Sequence, residues 1–279
     1  MYPQPLFTIF GREVYLYGIC IAVGILACIW VLFHYTKKKG MPSYLQDFIL
    51  VCGVIAIAVG FLAAKFYQAI YDWVETGVFN FYAAGITVMG GLIGGAAAFL
   101  LCYFIGGKLV FKGKKEGVHI KWFNTLLLVA PICICIAHAF GRIGCLMSGC
   151  CHGAYLGESY VFGGIWMSVN KGATWGYYVP TQLYEALFLF ALFAVLSILY
   201  FKDCNILMQI YLIAYGAWRI FIEFFRTDYR GAFVGGLAPS QWQSIVFIVG
   251  GIIMLIIYKL LKKPLFLPKK ETGDQNKEE

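Results

Sequence analysis

Seven stretches of the chain run for about twenty residues each with almost no charge, at about 14–35, 47–69, 84–107, 123–147, 182–201, 206–225 and 241–261. Roughly 20 consecutive apolar residues span the hydrocarbon core of a bilayer as a helix. The pattern therefore predicts an all-α integral membrane protein of about seven transmembrane helices. The third stretch is interrupted by glycines in MGGLIGGAAA, and the fifth is the shortest. Gly90 and Gly94, like Gly91 and Gly95, stand four apart, a spacing that lets helix backbones approach closely. Packing is their expected role, and the bare backbone there can also approach a lipid headgroup. No soluble domain is expected. The longest connection, about 149–181, is rich in Gly, Tyr and Trp, as suits a structured loop at a membrane interface. Long loops without obvious secondary structure are usually functional. The expected organisation is a membrane domain over 1–263 and a charged, disordered cytoplasmic tail over 264–279.

Composition agrees: 13% of residues are charged, against about 25% in soluble domains. The first apolar stretch follows no basic segment and precedes no A-x-A-like site, so it is expected to remain in the mature protein. Six of the ten cysteines, Cys20, Cys28, Cys52, Cys102, Cys133 and Cys135, lie inside apolar runs and read as small hydrophobes. A soluble zinc-finger or disulfide framework is excluded by that context.

Charge adds an orientation. Lys37, Lys38 and Lys39 follow the first stretch; Lys108, Lys112, Lys114, Lys115 and Lys121 lie between the third and fourth; Lys202 follows the fifth. Lys259, Lys262, Lys263, Lys269, Lys270 and Lys277 lie at or beyond the end of the seventh. With seven helices, all of these fall on one side, which the positive-inside rule makes the cytoplasm. The N-terminus is then outside and the C-terminus cytoplasmic, and the net charge of +8 calls for no nucleic-acid partner.

The five arginines, Arg12, Arg142, Arg219, Arg226 and Arg230, avoid the predicted cytoplasmic loops. Arg142 and Arg219 fall near the outer ends of the fourth and sixth stretches. Guanidinium is a planar fork that binds phosphate or carboxylate through two nitrogens, and intramembrane charge usually faces a cavity and marks a functional site. The bottom-up expectation is an anion site open to the outer leaflet, with phospholipid phosphate as the obvious ligand. The plainer alternative is snorkelling to headgroups, or pairing with Glu185 or Glu223.

GRIGC at 141–145, PTQLYEA at 180–186 and YGAWRIFIEFFRTD at 215–228, with weaker support from YGI at 17–19 and GGLIG at 90–94, resemble the bacterial prolipoprotein diacylglyceryl transferases. The likeness covers nearly the whole chain in order. It implies a multi-pass enzyme of the bacterial plasma membrane with its active site toward the outer leaflet. Its partners would be phosphatidylglycerol, prolipoprotein lipobox segments and membrane lipids, and no cofactor is implied. The implied reaction moves the diacylglyceryl group of phosphatidylglycerol onto a lipobox cysteine thiol and releases glycerol phosphate. That displacement needs a thiolate, since the thiol is a poor nucleophile with a free pKa of about 8.5. It also needs cations on the departing phosphate, which the arginines can supply. By the same resemblance, Arg142 and Arg219 match the essential arginines, assigned to the lipid phosphate or the leaving group. Tyr17, Tyr215, Glu223 and Arg226 match further functional positions, Gly90 and Gly91 the glycines of an H-G-G motif, and Gly153 a glycine just after the fourth helix. Glu223 and Arg219, four apart, are placed to pair.

Two positions depart from the family pattern. Met89 stands where its histidine is expected, and Cys145 where GRIGN has asparagine, so the source of the thiolate is in question. His138, four residues before Arg142 on the same helix face, is the substitute base to test; His152 is second, and a hydrogen-bonded core histidine is the alternative for His138. Cys145, Cys150, Cys151 and His152 invite a metal reading. Their spacing matches none of the usual C-x2–4-C pairs, and no metal is expected. A disulfide on the oxidising face stays open, as does the plainest reading of small residues shaping a tight helix exit. The departures also leave two rival functions: a paralogue moving a phospholipid-derived group to another acceptor, and a non-catalytic lipid-binding or redox-sensing membrane protein. A channel or transporter is disfavoured, because inverted repeats are not evident.

Overall fold

The computed structural model describes residues 4–83, 85–169, 174–226 and 237–261. The tail over 264–279, Arg230, and the last two residues of the 215–228 segment lie outside the described residues. The chain forms α1 (Leu16–Lys38), α2 (Ser43–Thr76), α3 (Val88–Leu101), α4 (Gly107–Val110), α5 (Val118–Ser148), α6 (Thr181–Phe201), α7 (Leu207–Glu223) and α8 (Pro239–Leu261). A single π turn over Cys102–Gly106 joins α3 to α4, so the glycine-interrupted stretch is one helical path. Among the described residues, six paths are long and apolar enough to cross a membrane: α1, α2, α3 through α4, α5, α6 and α8. The remaining long helix, α7, has 17 residues, which is the lower limit of the roughly 17–25 that span a bilayer.

Contacts divide the chain into two compact units. Among the described residues, one holds those within 36–124, the other those within 4–35 and 125–261. In the first, α2 and α3 meet through the small residues singled out above. A Cβ added to Gly90 would lie 2.6 Å from Tyr67 Cβ and 2.9 Å from the Ala63 carbonyl, and one on Gly94 would lie 2.3 Å from Ala63 Cβ. Lipid is as apolar as the side chains, so close backbone approach rather than hydrophobic burial holds such helices together. Nearby, the buried Tyr103 hydroxyl donates to the His119 carbonyl at 2.6 Å.

In the second unit, Val31, Ile132, Cys135, Leu189, Leu196 and Tyr211 form the centre of a core shared by α1, α5, α6 and α7. Tyr200 donates to the Tyr35 carbonyl at 3.1 Å. One stripe along α6 is buried throughout: Thr181, Gln182, Glu185 and Ala186 at its start, then Leu189, Leu192, Leu196 and Tyr200. The helical repeat continues unbroken while the chemistry changes from polar to apolar. The polar end of this stripe builds the site.

The connection over 149–181 contains a small antiparallel sheet, which its Gly- and aromatic-rich sequence did not announce. β3 (Tyr155–Gly157) and β4 (Ile165–Val169) flank β5 (Thr174–Tyr178), with Tyr155 opposite Tyr178 and Met167 opposite Gly176. Met167, Val169 and Tyr178 bury themselves with Leu146 of α5, tying the sheet to the end of that helix. At the N-terminus, β1 (Phe7–Ile9) and β2 (Arg12–Val14) form a hairpin. Its two-residue loop, Phe10-Gly11, has positive φ at both positions (48° and 75°), as a type I′ turn requires.

Candidate active site

Three helices bring charge together. On α5, His138, Arg142 and Cys145 recur at helical spacing on one face. On α7, the buried face carries Tyr211, Tyr215 and Arg219 at intervals of four. Glu185, from the polar end of the α6 stripe, is fully buried at 0% exposure and is the meeting point. Its Oε2 lies 3.0 Å from Arg142 Nε and 3.4 Å from Arg219 Nη1. Its Oε1 accepts from the Tyr215 hydroxyl at 3.1 Å and lies 3.8 Å from His138 Nε2. The Arg142 contact is ionic, its angle being too bent for a hydrogen bond, whereas Arg219 Nη1 does donate to the carboxylate. Arg219 Nη2 also pairs with Glu223 at 3.3 Å, the i, i+4 contact expected from sequence. The rings of His138 and Tyr215 meet edge to face at 5.4 Å.

An isolated charge in a membrane interior is very costly, and a buried carboxylate is stable only when paired and hydrogen-bonded. Glu185 meets that condition through two guanidiniums and a phenol. Arg226 also lies within electrostatic reach of it. Three guanidiniums against the carboxylates of Glu185 and Glu223 leave one positive charge. Such a site is matched to a monoanion such as a phosphodiester.

Of the remaining sequence candidates, Tyr17, Arg226 and Gly153 lie around this centre. Tyr17 lies against α5, since a Cβ on Gly144 would be 3.1 Å from its Cδ2. Gly153 sits where two segments cross: its N–H donates to the Val179 carbonyl at 2.8 Å, and Ala154 N–H donates to the Phe225 carbonyl at 3.2 Å. A Cβ on Gly153 would lie 2.3 Å from the Phe225 oxygen, so only glycine fits. The crossing carries Arg226, which bridges to Gly153. His152 points elsewhere, its Nδ1 at 2.9 Å from the Gly153 carbonyl and its ring against Tyr178. Met89, Gly90 and Gly91 belong to the other compact unit, where both glycines face α2.

The Sγ atoms of Cys145, Cys150 and Cys151 all lie within 4.8 Å of one another. The Cys150 and Cys151 carbonyls are clamped from α6, accepting from Gln182 Nε2 at 2.6 Å and Thr181 Oγ1 at 2.8 Å. The Cys151 thiol is held below its ordinary pKa, first by hydrogen bonds from Cys145 and Cys150 and then by the Arg226 guanidinium. Sequence reasoning missed two parts of the site. It treated Glu185 only as a partner for an idle arginine, and it gave PTQ no role; the polar residues Thr181, Gln182 and Glu185 opening an otherwise apolar α6 were the available sign.

Comparison with known proteins identifies the family. The family model described as prolipoprotein diacylglyceryl transferase matches residues 4–257. A phosphatidylglycerol–prolipoprotein diacylglyceryl transferase 2 of Clostridium perfringens is 33% identical, over 96% of this chain and 97% of its own. The transferase of that name from Clostridium tetani is 31% identical, over 92% and 98%. One from Bacillus cereus is 31% identical, over 88% and 87%. With a match this long, and relatives alike from end to end, the chain belongs to the prolipoprotein diacylglyceryl transferase family.

Proposed function

We propose that this multi-pass membrane protein transfers the diacylglyceryl group of phosphatidylglycerol to the lipobox cysteine thiol of prolipoproteins, releasing glycerol phosphate. It does so in a bacterial plasma membrane, with its N-terminus outside and its site toward the outer leaflet. The observation that carries the reading is the convergence of Arg142 and Arg219 on the fully buried Glu185. Phosphatidylglycerol brings a single phosphodiester charge to a centre with one positive charge in excess. The thiolate attacks the glycerol carbon, and charge grows on the departing phosphate oxygen. Fixed guanidiniums in a water-poor setting stabilise that charge without reorganising. Glu185 holds the two arginines from behind, while Tyr215 fixes the carboxylate in turn. His138, beside Glu185, is placed to take the thiol proton, and the carboxylate then stabilises the imidazolium. Tyr17, Glu223, Arg226 and Gly153 shape the lipid headgroup site around them.

The test uses purified protein, phosphatidylglycerol and a lipobox peptide, with the matching Cys→Ser peptide as control. Mass spectrometry should find a diacylglyceryl adduct on the cysteine peptide alone. Lipid binding without an adduct would reject the reading and direct attention to another acceptor.

A further inference from the structure

We propose that Cys145, Cys150 and Cys151 bind a thiophilic d10 cation of the Zn2+ class, and that its open fourth position takes the acceptor thiol. The second half rests on the transfer reaction proposed above; the first does not. The three sulfurs already form a compact triangle, all within 4.8 Å of one another. A zinc–thiolate bond of about 2.3 Å sets neighbouring sulfurs roughly 4 Å apart in trigonal or tetrahedral geometry.

The backbone is organised to hold this triangle. Gly149 has φ +70° and Cys151 φ +63°, a left-handed conformation that a non-glycine residue rarely adopts. A Cβ on Gly149 would lie 1.9 Å from the Ser168 carbonyl, so the turn is pressed against β4. Cys150 N–H donates to the Cys145 carbonyl at 3.2 Å, which folds the chain back over the end of α5. Thr181 and Gln182, both fully buried, fix the next two carbonyls. Among the described residues the cluster offers three donor atoms, the number typical of a zinc centre that keeps a position open for chemistry. Cys150 is exposed and the other two are half-buried, so an ion and a fourth ligand can enter.

The position of the triangle gives it a role. Cys145 is one turn beyond Arg142, which lies within electrostatic reach of Cys145 and Cys151. A thiol that coordinates such a cation is deprotonated outright. The metal therefore supplies the thiolate in a chain that has Met89 where the family histidine is expected. On coordination, the acceptor S–H gives its proton to His138, the base proposed above, which passes it on to water. A sulfur lone pair then forms the C–S bond to the glycerol carbon as the C–O bond breaks. The bonding pair leaves on the phosphate oxygen, and glycerol phosphate departs with one more negative charge, balancing the released proton.

The experiment loads the purified full chain with Zn2+ or Co2+, desalts it and measures metal content and the cobalt spectrum. One metal per chain and a thiolate-to-cobalt charge-transfer band are expected. The lipobox peptide should alter the cobalt d–d bands, and its Cys→Ser counterpart should not. Cys145→Ser and Cys150→Ser should each lose the charge-transfer band, while Cys204→Ser keeps it. Substoichiometric metal in the wild-type protein, or a mass two hydrogens short from a disulfide among the three cysteines, would overturn the site. Full turnover by metal-free protein would overturn the thiol-activating role and leave the transfer reaction standing. A cobalt response to the peptide with no adduct would support the metal site and remove the transfer reaction.

Discussion

Replacing Glu185 by glutamine isolates what the buried carboxylate does. Glutamine keeps the shape, and its amide oxygen can still accept from Tyr215. Its amide nitrogen, however, takes the place of Oε2, which faces Arg142 Nε at 3.0 Å and Arg219 Nη1 at 3.4 Å. A donor then opposes two donors. Contacts to charged groups contribute about 1.5–3 kcal/mol each. Because one is bent and the other long, the low end applies, giving roughly 3 kcal/mol for the pair. At about 1.4 kcal/mol per decade, that is on the order of 100-fold in rate. Binding should respond differently: removing a negative charge makes the site more cationic, so KM for phosphatidylglycerol should stay level or fall. Steady-state transfer of diacylglyceryl to a lipobox peptide in mixed micelles measures both constants. Thermal unfolding of the solubilised protein provides the control, since removing one partner of a buried pair costs about 3–5 kcal/mol of stability. Glu185→Asp, which keeps the charge but shortens the reach, should retain much of that stability and lose about 10-fold in kcat. If the glutamine variant is folded and turns over within about 3-fold of wild type, the carboxylate does not position the arginines and the argument fails.

Arg142→Ala and Arg219→Ala should each lower kcat by about 100- to 1,000-fold, the usual effect of deleting a donor to developing charge, with membrane insertion intact; near-normal rates in either would remove the phosphate assignment. Arg219→Lys should also be poor, because one ammonium cannot reach Glu185 and Glu223 as two forks of a guanidinium do, and full activity would argue for charge neutralisation alone. His138→Gln should abolish the acidic limb of the kcat–pH profile if His138 takes the thiol proton, whereas an unchanged profile assigns it to structure. Gly153→Ala, whose Cβ would lie 2.3 Å from the Phe225 carbonyl, should destabilise the crossing beneath Arg226 by about 1–3 kcal/mol, read as a lower Tm; an unchanged Tm would show that the chain yields there.

The parts of this molecule that were legible in sequence share a cause. The helices are long apolar runs, and the bilayer leaves backbone polar groups no partner but one another, so α6 falls within a residue of its expected start. α2 shows where that logic stops: it runs on to Thr76, seven residues past its expected end. Its last two turns carry Tyr71, Asp72 and Glu75, and a helix emerging from lipid no longer needs apolar side chains. Arg142 and Arg219 were legible because arginine in an apolar run has few explanations. Glu185 was less so, since one carboxylate between tyrosine and alanine looks like any helix-start acid until α5 and α7 are seen to deliver two guanidiniums to it. The thiol triangle was set aside for its spacing. Spacing rules describe ligands offered by loops and regular elements, whereas here a left-handed residue at Cys151 and a reversal at Gly149 fold neighbours in sequence into a triangle.

The same geometry bears on how an ionised centre can exist within membrane helices at all. A net positive site in a low-dielectric setting is unfavourable when empty of counter-charge, and Glu185 and Glu223 reduce that excess to one unit. The lipid's phosphodiester removes the rest. Binding of phosphatidylglycerol should therefore stabilise the unit that carries α5, α6 and α7. A zwitterionic lipid such as phosphatidylethanolamine, which brings a cation with its phosphate, should stabilise it less. Thermal shifts in micelles of each lipid compare the two directly. Equal shifts would mean that the acyl chains, rather than the arginine-lined centre, do the recognising.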